Sequence, residues 1–228
     1  MSSAAARSSE ASQSTARQSL DERGFASIPA LLSPPRCLEI ADALQPLLGR
    51  AGRRGLLEVR AVADLARELA ADPRVAACSE RSVVAVDALL FDKTPATNWK
   101  VTWHQDLAMR IGVRTTLPGY SAWNCKHGTW YAQPPESVLR RMTALRVHLD
   151  DCGEQEGPLR VLVGSHRSGK MLATEDIADR FPAFTCKAAQ GDAWLMKPLL
   201  MHSSGQARRP SQRRVLHLVY APEGFPAC

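Results

Sequence analysis

Beyond Pro73 the chain breaks into short β-branched and apolar runs at 83–91, 100–104, 144–149, 159–163, 193–196 and 215–220, each bounded by Gly, Pro, Asn or Asp. Such runs are too short to stand alone. Repeated through the rest of the chain, they specify an antiparallel sandwich or barrel. A fold alternating strands with long crossover helices is excluded, because only brief helical stretches, near 135–142 and 175–180, interrupt them. The expectation is therefore mainly β with flanking helices. The longer helices come first. Ser33 reads as an N-cap with Pro34 in the first turn, and Leu38, Ala41, Leu44 and Leu48 follow at helical spacing until Gly49. A second amphipathic helix over 58–71 presents Val59, Val62, Leu65 and Leu69 and stops at Asp72-Pro73. This helical part, 33–72, should buttress one sheet of a β core spanning about 83–222.

Residues 1–18 are rich in Ser and Ala with almost nothing to bury, and read as a disordered tail ahead of a single domain over 19–228. Composition narrows the partners. Lys and Arg outnumber Asp and Glu by 29 to 23, but the arginines fall in scattered pairs such as Arg140–Arg141 and Arg208–Arg209. With no aromatics interleaved, this is a solvated basic surface and not a nucleic-acid interface. The six cysteines contain no CxxC pair, which argues against a zinc ribbon or a disulfide framework. No apolar stretch reaches the ~18 residues that would cross a bilayer, and the opening segment lacks the apolar core of a secretory signal. The expected protein is cytoplasmic, a monomer or homodimer, acting on a small molecule without nucleic acid or membrane.

The chemistry lies in Trp103-His104-Gln105-Asp106. Residues two apart on a strand share a face, so His104 and Asp106 can offer an imidazole nitrogen and a carboxylate oxygen to one point while Gln105 turns away. A third ligand could come from His127, His148, His166, His202 or His217. Of these, His202 sits where a strand-like run gives way to Ser203-Ser204-Gly205. Two histidines and one carboxylate make a facial triad with open positions, as non-haem Fe(II) oxygenases use, and zinc with the same donors is the competitor. Eleven residues on, Arg213 precedes the last strand, where an inward guanidinium would grip a carboxylate bidentately, with the Ser204 hydroxyl alongside. Arg213 and Arg214 face opposite ways on a strand, so one of them alone can do this. Asp150 and Asp151 point apart and read as turn or cap residues.

The order HxD, then H-x-S, then Arg at plus eleven resembles the phytanoyl-CoA dioxygenase family. So do Phe91-Asp92-Lys93-Thr94-Pro95, Gly157-Pro158-Leu159-Arg160-Val161 and Gly164-Ser165-His166-Arg167. The likeness runs from about Leu20 to Pro222. It implies a double-stranded β-helix (a cupin-like jelly roll) with Fe(II) held by His104, Asp106 and His202, and 2-oxoglutarate held at its far carboxylate by Arg213 with Ser204. Lys93 and Trp123 fall where some members place co-substrate contacts. The implied activity is O₂-dependent hydroxylation of a small organic molecule, with release of succinate and CO₂. A cupin-like metalloenzyme without 2-oxoglutarate and a catalytically silent 2-oxoglutarate-binding domain are the alternatives. Glu156 departs from the asparagine common before Gly-Pro-Leu, and the presence of Asp106 disfavours the halogenating relatives. The segment 107–135 concentrates Met109, Tyr120, Trp123, Trp130, Tyr131 and Gln133 and is expected to cover the site and select the substrate, with Gln133 and Trp130 as contacts. His148 is a further substrate or supporting candidate. His166 is expected to be structural, His217 to be core or surface, and His127 lies in a loop.

Overall fold

The computed structural model describes residues 2–114, 116–126, 128–209 and 212–226, with side chains from residue 13 onward. His127 lies outside them. Three antiparallel sheets carry the fold. The largest runs β1 (Phe25–Ile28), β11 (Ala193–Met196), β8 (Thr143–His148), β13 (Arg213–Pro222), β3 (Val83–Lys93) and β2 (Gly52–Arg53). A second sheet runs β10 (Ala183–Cys186), β9 (Leu159–Leu162), β12 (His202–Ser204) and β4 (Val101–His104). These two make the jelly roll.

The large sheet has two chemically different faces, and strand alternation sorts them. Leu216 and Leu218 of β13, Leu90 and Ala88 of β3, and Leu145 and Val147 of β8 join one apolar cluster with the helices. Helix α2 (Pro34–Leu44) supplies Ile40 and Leu44, and α3 (Arg60–Ala71) supplies Val62, Leu65 and Leu69. Tyr220 closes the contact by donating its hydroxyl to the Ala66 carbonyl at 2.9 Å. The alternate residues of the same strands look the other way. In register they give Lys93 opposite Arg213, Phe91 opposite Val215 opposite His148, and Leu89 opposite His217 opposite Arg146. A mostly polar, buried row thus lines the interior of the roll.

The capping expectations hold: Ser33 accepts from the Arg36 amide and Asp72 caps α4 (Pro73–Ala76) by accepting from the Arg74 amide. The brief helices appear as α5 (Glu136–Leu139) and a 3₁₀ turn at Ile177–Asp179. Two expectations differ. Helix α1 covers Ser2–Arg23, where no regular structure was expected up to residue 18. Its last turns dock, with Leu20 fully buried and Ala16 against the core, and Arg17 pairing with Asp21 one turn on. The segment 107–135 is not an irregular lid. It folds into a third sheet, β5 (Met109–Ile111), β7 (Thr129–Gln133) and β6 (Ser121–Lys126), in which Met109 and Ile111 of β5 turn inward on either side of Arg110.

Candidate metal centre

β12 pairs with β4 so that His202 stands opposite His104. The tight approach leaves the two rings 4.2 Å apart between centroids. Asp106 lies two residues past the end of β4, its amide anchored on the Pro198 carbonyl at 2.9 Å. His104, Asp106 and His202 bring one ligand atom each to within 4.8 Å of one another. Gln105 faces away, as expected from alternation: its amide donates to the Gly169 and Leu199 carbonyls and accepts from the Met171 amide, tying two loops to the end of the strand.

Hydrogen bonding decides which ring nitrogens are free. A carbonyl only accepts, so His104 Nδ1, 2.9 Å from the Thr102 carbonyl, carries the proton, and so does His202 Nδ1, 2.9 Å from the Leu200 carbonyl. Both Nε2 lone pairs are left for a metal, and they stand 3.8 and 3.6 Å from the Asp106 carboxylate oxygens. A third histidine is equally close: His217 Nε2 lies 3.7 Å from Asp106 Oδ2. Its tautomer is the opposite one. Arg146 Nη1 can only donate, and it meets His217 Nδ1 at 3.3 Å, so the His217 proton sits on Nε2 and faces the carboxylate. His217 is therefore a donor toward Asp106 and not a ligand. Of the core or surface role expected for His217, the core one holds, and the register of β13 turns its ring to the polar interior beside Asp106.

The electrostatics match a cation-binding carboxylate. Burial works against ionised Asp106, but His202, His217, His104 and Arg146 outweigh it and hold its carboxyl down at about 2. Burial pushes His202 to about 4, partly offset by Asp106, and His217 to about 3. Both rings are neutral near pH 7, as a ligand and a neutral donor need to be.

Beside this cluster stands a group of buried cations. Arg213 of β13 and Lys93 of β3 are in register and nearly inaccessible. Lys93 Nζ donates to Ser204 Oγ at 2.8 Å and to the Gly205 carbonyl, and lies 5.4 Å from the centre of the Trp99 ring. The Gly157 carbonyl is a hub, accepting from Ser204 Oγ at 3.1 Å, Arg213 Nη2 at 3.4 Å and Lys93 at 3.5 Å. Burial and the neighbouring Arg213 lower Lys93 to about 8. Arg146, lowered to about 10 by burial and by Arg213, stacks 5.0 Å from the Phe91 ring. Among the described residues neither Arg146 nor Arg213 has a carboxylate at ion-pair distance, and Nε of each is buried without a partner. Arginines desolvated without an internal acid are a site built for an external anion. The donor set thus fits a divalent metal, and the cations beside it fit a dicarboxylate.

One cavity gathers His104, Asp106, His202, Ser204 and Arg213 with Phe91, Trp99, Val101, Arg146 and Leu159. Lys93 reaches it through Ser204. Trp123 does not join it: it lies on β6 beside Tyr120, lining a separate surface pocket with Arg114 and Leu117. Trp130 sits against Arg114, and Gln133 pairs with Ser121 at the edge of the third sheet, so neither lines the metal cavity. Trp130 and Gln133 were placed by local composition and Trp123 by the family resemblance, whereas the segment's own sheet sets where all three lie. His148 is buried in the inward row with both ring nitrogens unpartnered, and burial with Arg146 and Arg213 pushes it to about 3. His166 is structural: Nε2 bonds the Asp21 carbonyl at 3.1 Å and its ring packs against Gly24. Glu156 turns back to the Gly153 amide at 2.9 Å, and Asp150 pairs with Arg214. Arg146, His217, Trp99 and Phe91 were missed. The signal available was their two-residue spacing from His148, Val215, Val101 and Lys93 along the strands.

The phytanoyl-CoA dioxygenase family model matches residues 20–215. No curated protein matches the sequence. Among solved structures, the non-haem α-ketoglutarate-dependent carbocyclase SnoK from nogalamycin biosynthesis is 14% identical over 91% of this chain and 83% of its own, with a TM-score of 0.65. AviO1 from Streptomyces viridochromogenes Tue57 is 20% identical over 95% and 97%, with a TM-score of 0.65. HygX from Streptomyces hygroscopicus, crystallised with nickel and 2-oxoglutarate, is 19% identical over 91% and 86%, with a TM-score of 0.63. At these identities the structures speak for the shared jelly roll. No helix among the described residues is long and apolar enough to cross a membrane. With a family model spanning most of its length and a His–Asp–His cluster beside desolvated cations in a jelly roll, the chain belongs to the phytanoyl-CoA dioxygenase family of non-haem, 2-oxoglutarate-dependent enzymes.

Proposed function

We propose that the chain hydroxylates a small organic molecule, with His104 Nε2, Asp106 and His202 Nε2 as the iron ligands and Arg213, Ser204 and Lys93 as the grip on the distal carboxylate of 2-oxoglutarate. The observation that carries this reading is the convergence of a His–Asp–His cluster and acid-free buried cations on one cavity. Bound together, iron and 2-oxoglutarate supply an oxidant for C–H bonds, with O₂ consumed and succinate and CO₂ released.

The protein's part is placement. Thr102 and Leu200 carbonyls fix the two histidine rings so that both Nε2 atoms face Asp106. His217, itself held by Arg146, turns its Nε2–H toward Asp106 Oδ2 at 3.7 Å and so favours the ionised carboxylate. Arg213 offers a planar fork whose partner must be external, and Ser204 and Lys93 surround the same point through the Gly157 carbonyl. Val101, Leu159 and Trp99 keep that end of the cavity apolar, which strengthens the ionic grip.

The test is anaerobic Fe(II) titration with and without 2-oxoglutarate, following the weak visible metal-to-ligand charge-transfer band. The band should appear in the parent protein, vanish in His104→Ala and weaken in Arg213→Ala. Iron binding without the band would favour a cupin-like enzyme that does not use 2-oxoglutarate. A band with no succinate formed across candidate substrates would favour a silent binding domain. Absence of metal binding would refute the ligand assignment.

A further inference from the structure

On the far side of Phe91 from the metal cluster lies a second, larger cleft of about 570 Å³. Its floor is Leu89 and Phe91 of β3, and Tyr131 of β7 forms one wall. Phe91 lines both spaces. Its ring meets His217 edge-on at 5.9 Å between centroids, and His217 stands 3.7 Å from Asp106. A single aromatic ring and one histidine therefore separate this cleft from the carboxylate of the candidate metal site. The volume suits a drug-sized molecule with one end toward the metal.

The rim carries four cations and one acid, Glu58. Arg50, Arg53 and Arg54 come from the segment leading through β2, and Lys126 comes from the end of β6, far away in sequence. The local acids are already engaged: Glu58 pairs with Arg110 at 3.1 Å, and the buried Asp87 faces Arg54 at 3.9 Å. Arg54 and Lys126 also flank Tyr131, at 5.5 and 5.8 Å from the ring centre. Among the described residues no carboxylate lies at ion-pair distance from Arg50, Arg53 or Lys126. By contrast, Arg140 is answered by Glu136, Arg141 by Glu80 and Arg214 by Asp150. Here three cations from two distant parts of the chain line a concavity that also holds Leu89, Phe91 and Tyr131, and the acid in its lining, Glu58, is engaged by Arg110. Such an arrangement lowers the free energy of an anion that brings an apolar body with it.

We propose that this cleft is the substrate chamber and takes a small organic anion, a phosphate monoester or a carboxylic acid, whose acid group lies against Arg50, Arg53 and Lys126 while its carbon body runs past Phe91 toward Asp106. This rests on the oxygenase reading above and adds the substrate class. The third sheet then contributes Lys126, Thr129 and Tyr131 to substrate selection, in place of Trp130 and Gln133.

The experiment is calorimetric titration of the anaerobic Fe(II) protein, saturated with 2-oxoglutarate so that Arg213 is blocked, with phenyl phosphate, benzoate and phenol. An acid-bearing probe should bind at least tenfold more tightly than phenol. That preference should disappear in Arg53→Ser/Lys126→Ser, whose charge-transfer band stays as in the parent and reports an intact metal site. Preference for phenyl phosphate assigns a phosphorylated substrate, and preference for benzoate a carboxylate. Absence of any preference over phenol, or its survival in the double variant, overturns the proposal. A missing charge-transfer band in the parent protein would instead sink the oxygenase reading, which is recorded separately in the same samples.

Discussion

Replacing Arg213 by methionine should move two measurable quantities in opposite directions. In the absence of ligand the guanidinium is buried at 3% exposure, with one long hydrogen bond to the Gly157 carbonyl, an unpartnered Nε, and Lys93 across the strand pair. An ion desolvated without a counter-ion destabilises the native state, and burial accordingly lowers the pKa of Arg213. Methionine keeps the flexible apolar stem and a similar volume without the charge, so the apoprotein should gain about 1–3 kcal/mol, allowing for its shorter reach and the loss of the weak Gly157 bond. For a chain of this size each kcal/mol raises Tm by about 2–4 °C. Binding of 2-oxoglutarate should suffer, because a fork of two charge-assisted hydrogen bonds is lost at about 1.5–3 kcal/mol each. The sum corresponds to at least a ~100-fold weaker Kd. Differential scanning calorimetry of the metal-free protein gives the first quantity, and anaerobic titration of the Fe(II) protein with 2-oxoglutarate gives the second. A lower Tm with an unchanged Kd would refute the reasoning and make Arg213 a structural tie.

Four further outcomes follow from the same geometry. Lys93, at about 8, is cationic below that pH and neutral above it, so 2-oxoglutarate affinity should fall as pH rises from 7 to 9. Lys93→Met should flatten that profile; a parent profile that is already flat would contradict the role given to Lys93. Because the folded pKa lies below the ordinary 10.5, the unfolded chain binds more protons between about 8 and 10.5, and apoprotein stability should rise with pH across that window. Gly157→Ala should destabilise the fold by about 1–3 kcal/mol. Gly157 has φ +66°, and an added Cβ would lie 2.6 Å from the Gly205 carbonyl oxygen, so urea denaturation should show the loss. His217→Phe should keep metal binding but weaken it by about 10–100-fold, since a group orienting a ligand is lost. Co(II) titration monitored by absorbance distinguishes this from His202→Ala, which should bind no metal, and equal effects of the two would contradict the tautomer argument.

Much of the site was legible because it is written in short-range patterns. His104 and Asp106 are two residues apart, Ser204 follows His202 by two, and Arg213 opens a strand whose alternation was readable. The family resemblance then supplied the pairing of these distant segments, and they do meet on one cavity. Trp123, carried over from the resemblance, does not join it, and Trp130 and Gln133, read from the composition of their segment, fail for the converse reason. Aromatic density says that a segment packs somewhere, while the direction of each ring depends on β5, β6 and β7 pairing with one another.

The sequence alone determined strands β3, β4, β8, β9, β11 and β13, helices α2 and α3, the Ser33 cap and the candidate His104–Asp106 pair, because these depend on periodicity, on side chains bonding their own backbone, and on donor chemistry. Tertiary structure decided what closure of the sheets brings together. β13 lies between β3 and β8, and that placement puts His217 beside Arg146 and Arg213 beside Lys93 although more than sixty residues separate each pair in sequence. Register selects which face of each strand turns inward, and a shift of one residue would have sent Arg146 and His217 into the helix-covered core. The distinction between His217 as donor and His202 as ligand rests on one Arg146 hydrogen bond, and no local pattern encodes that contact.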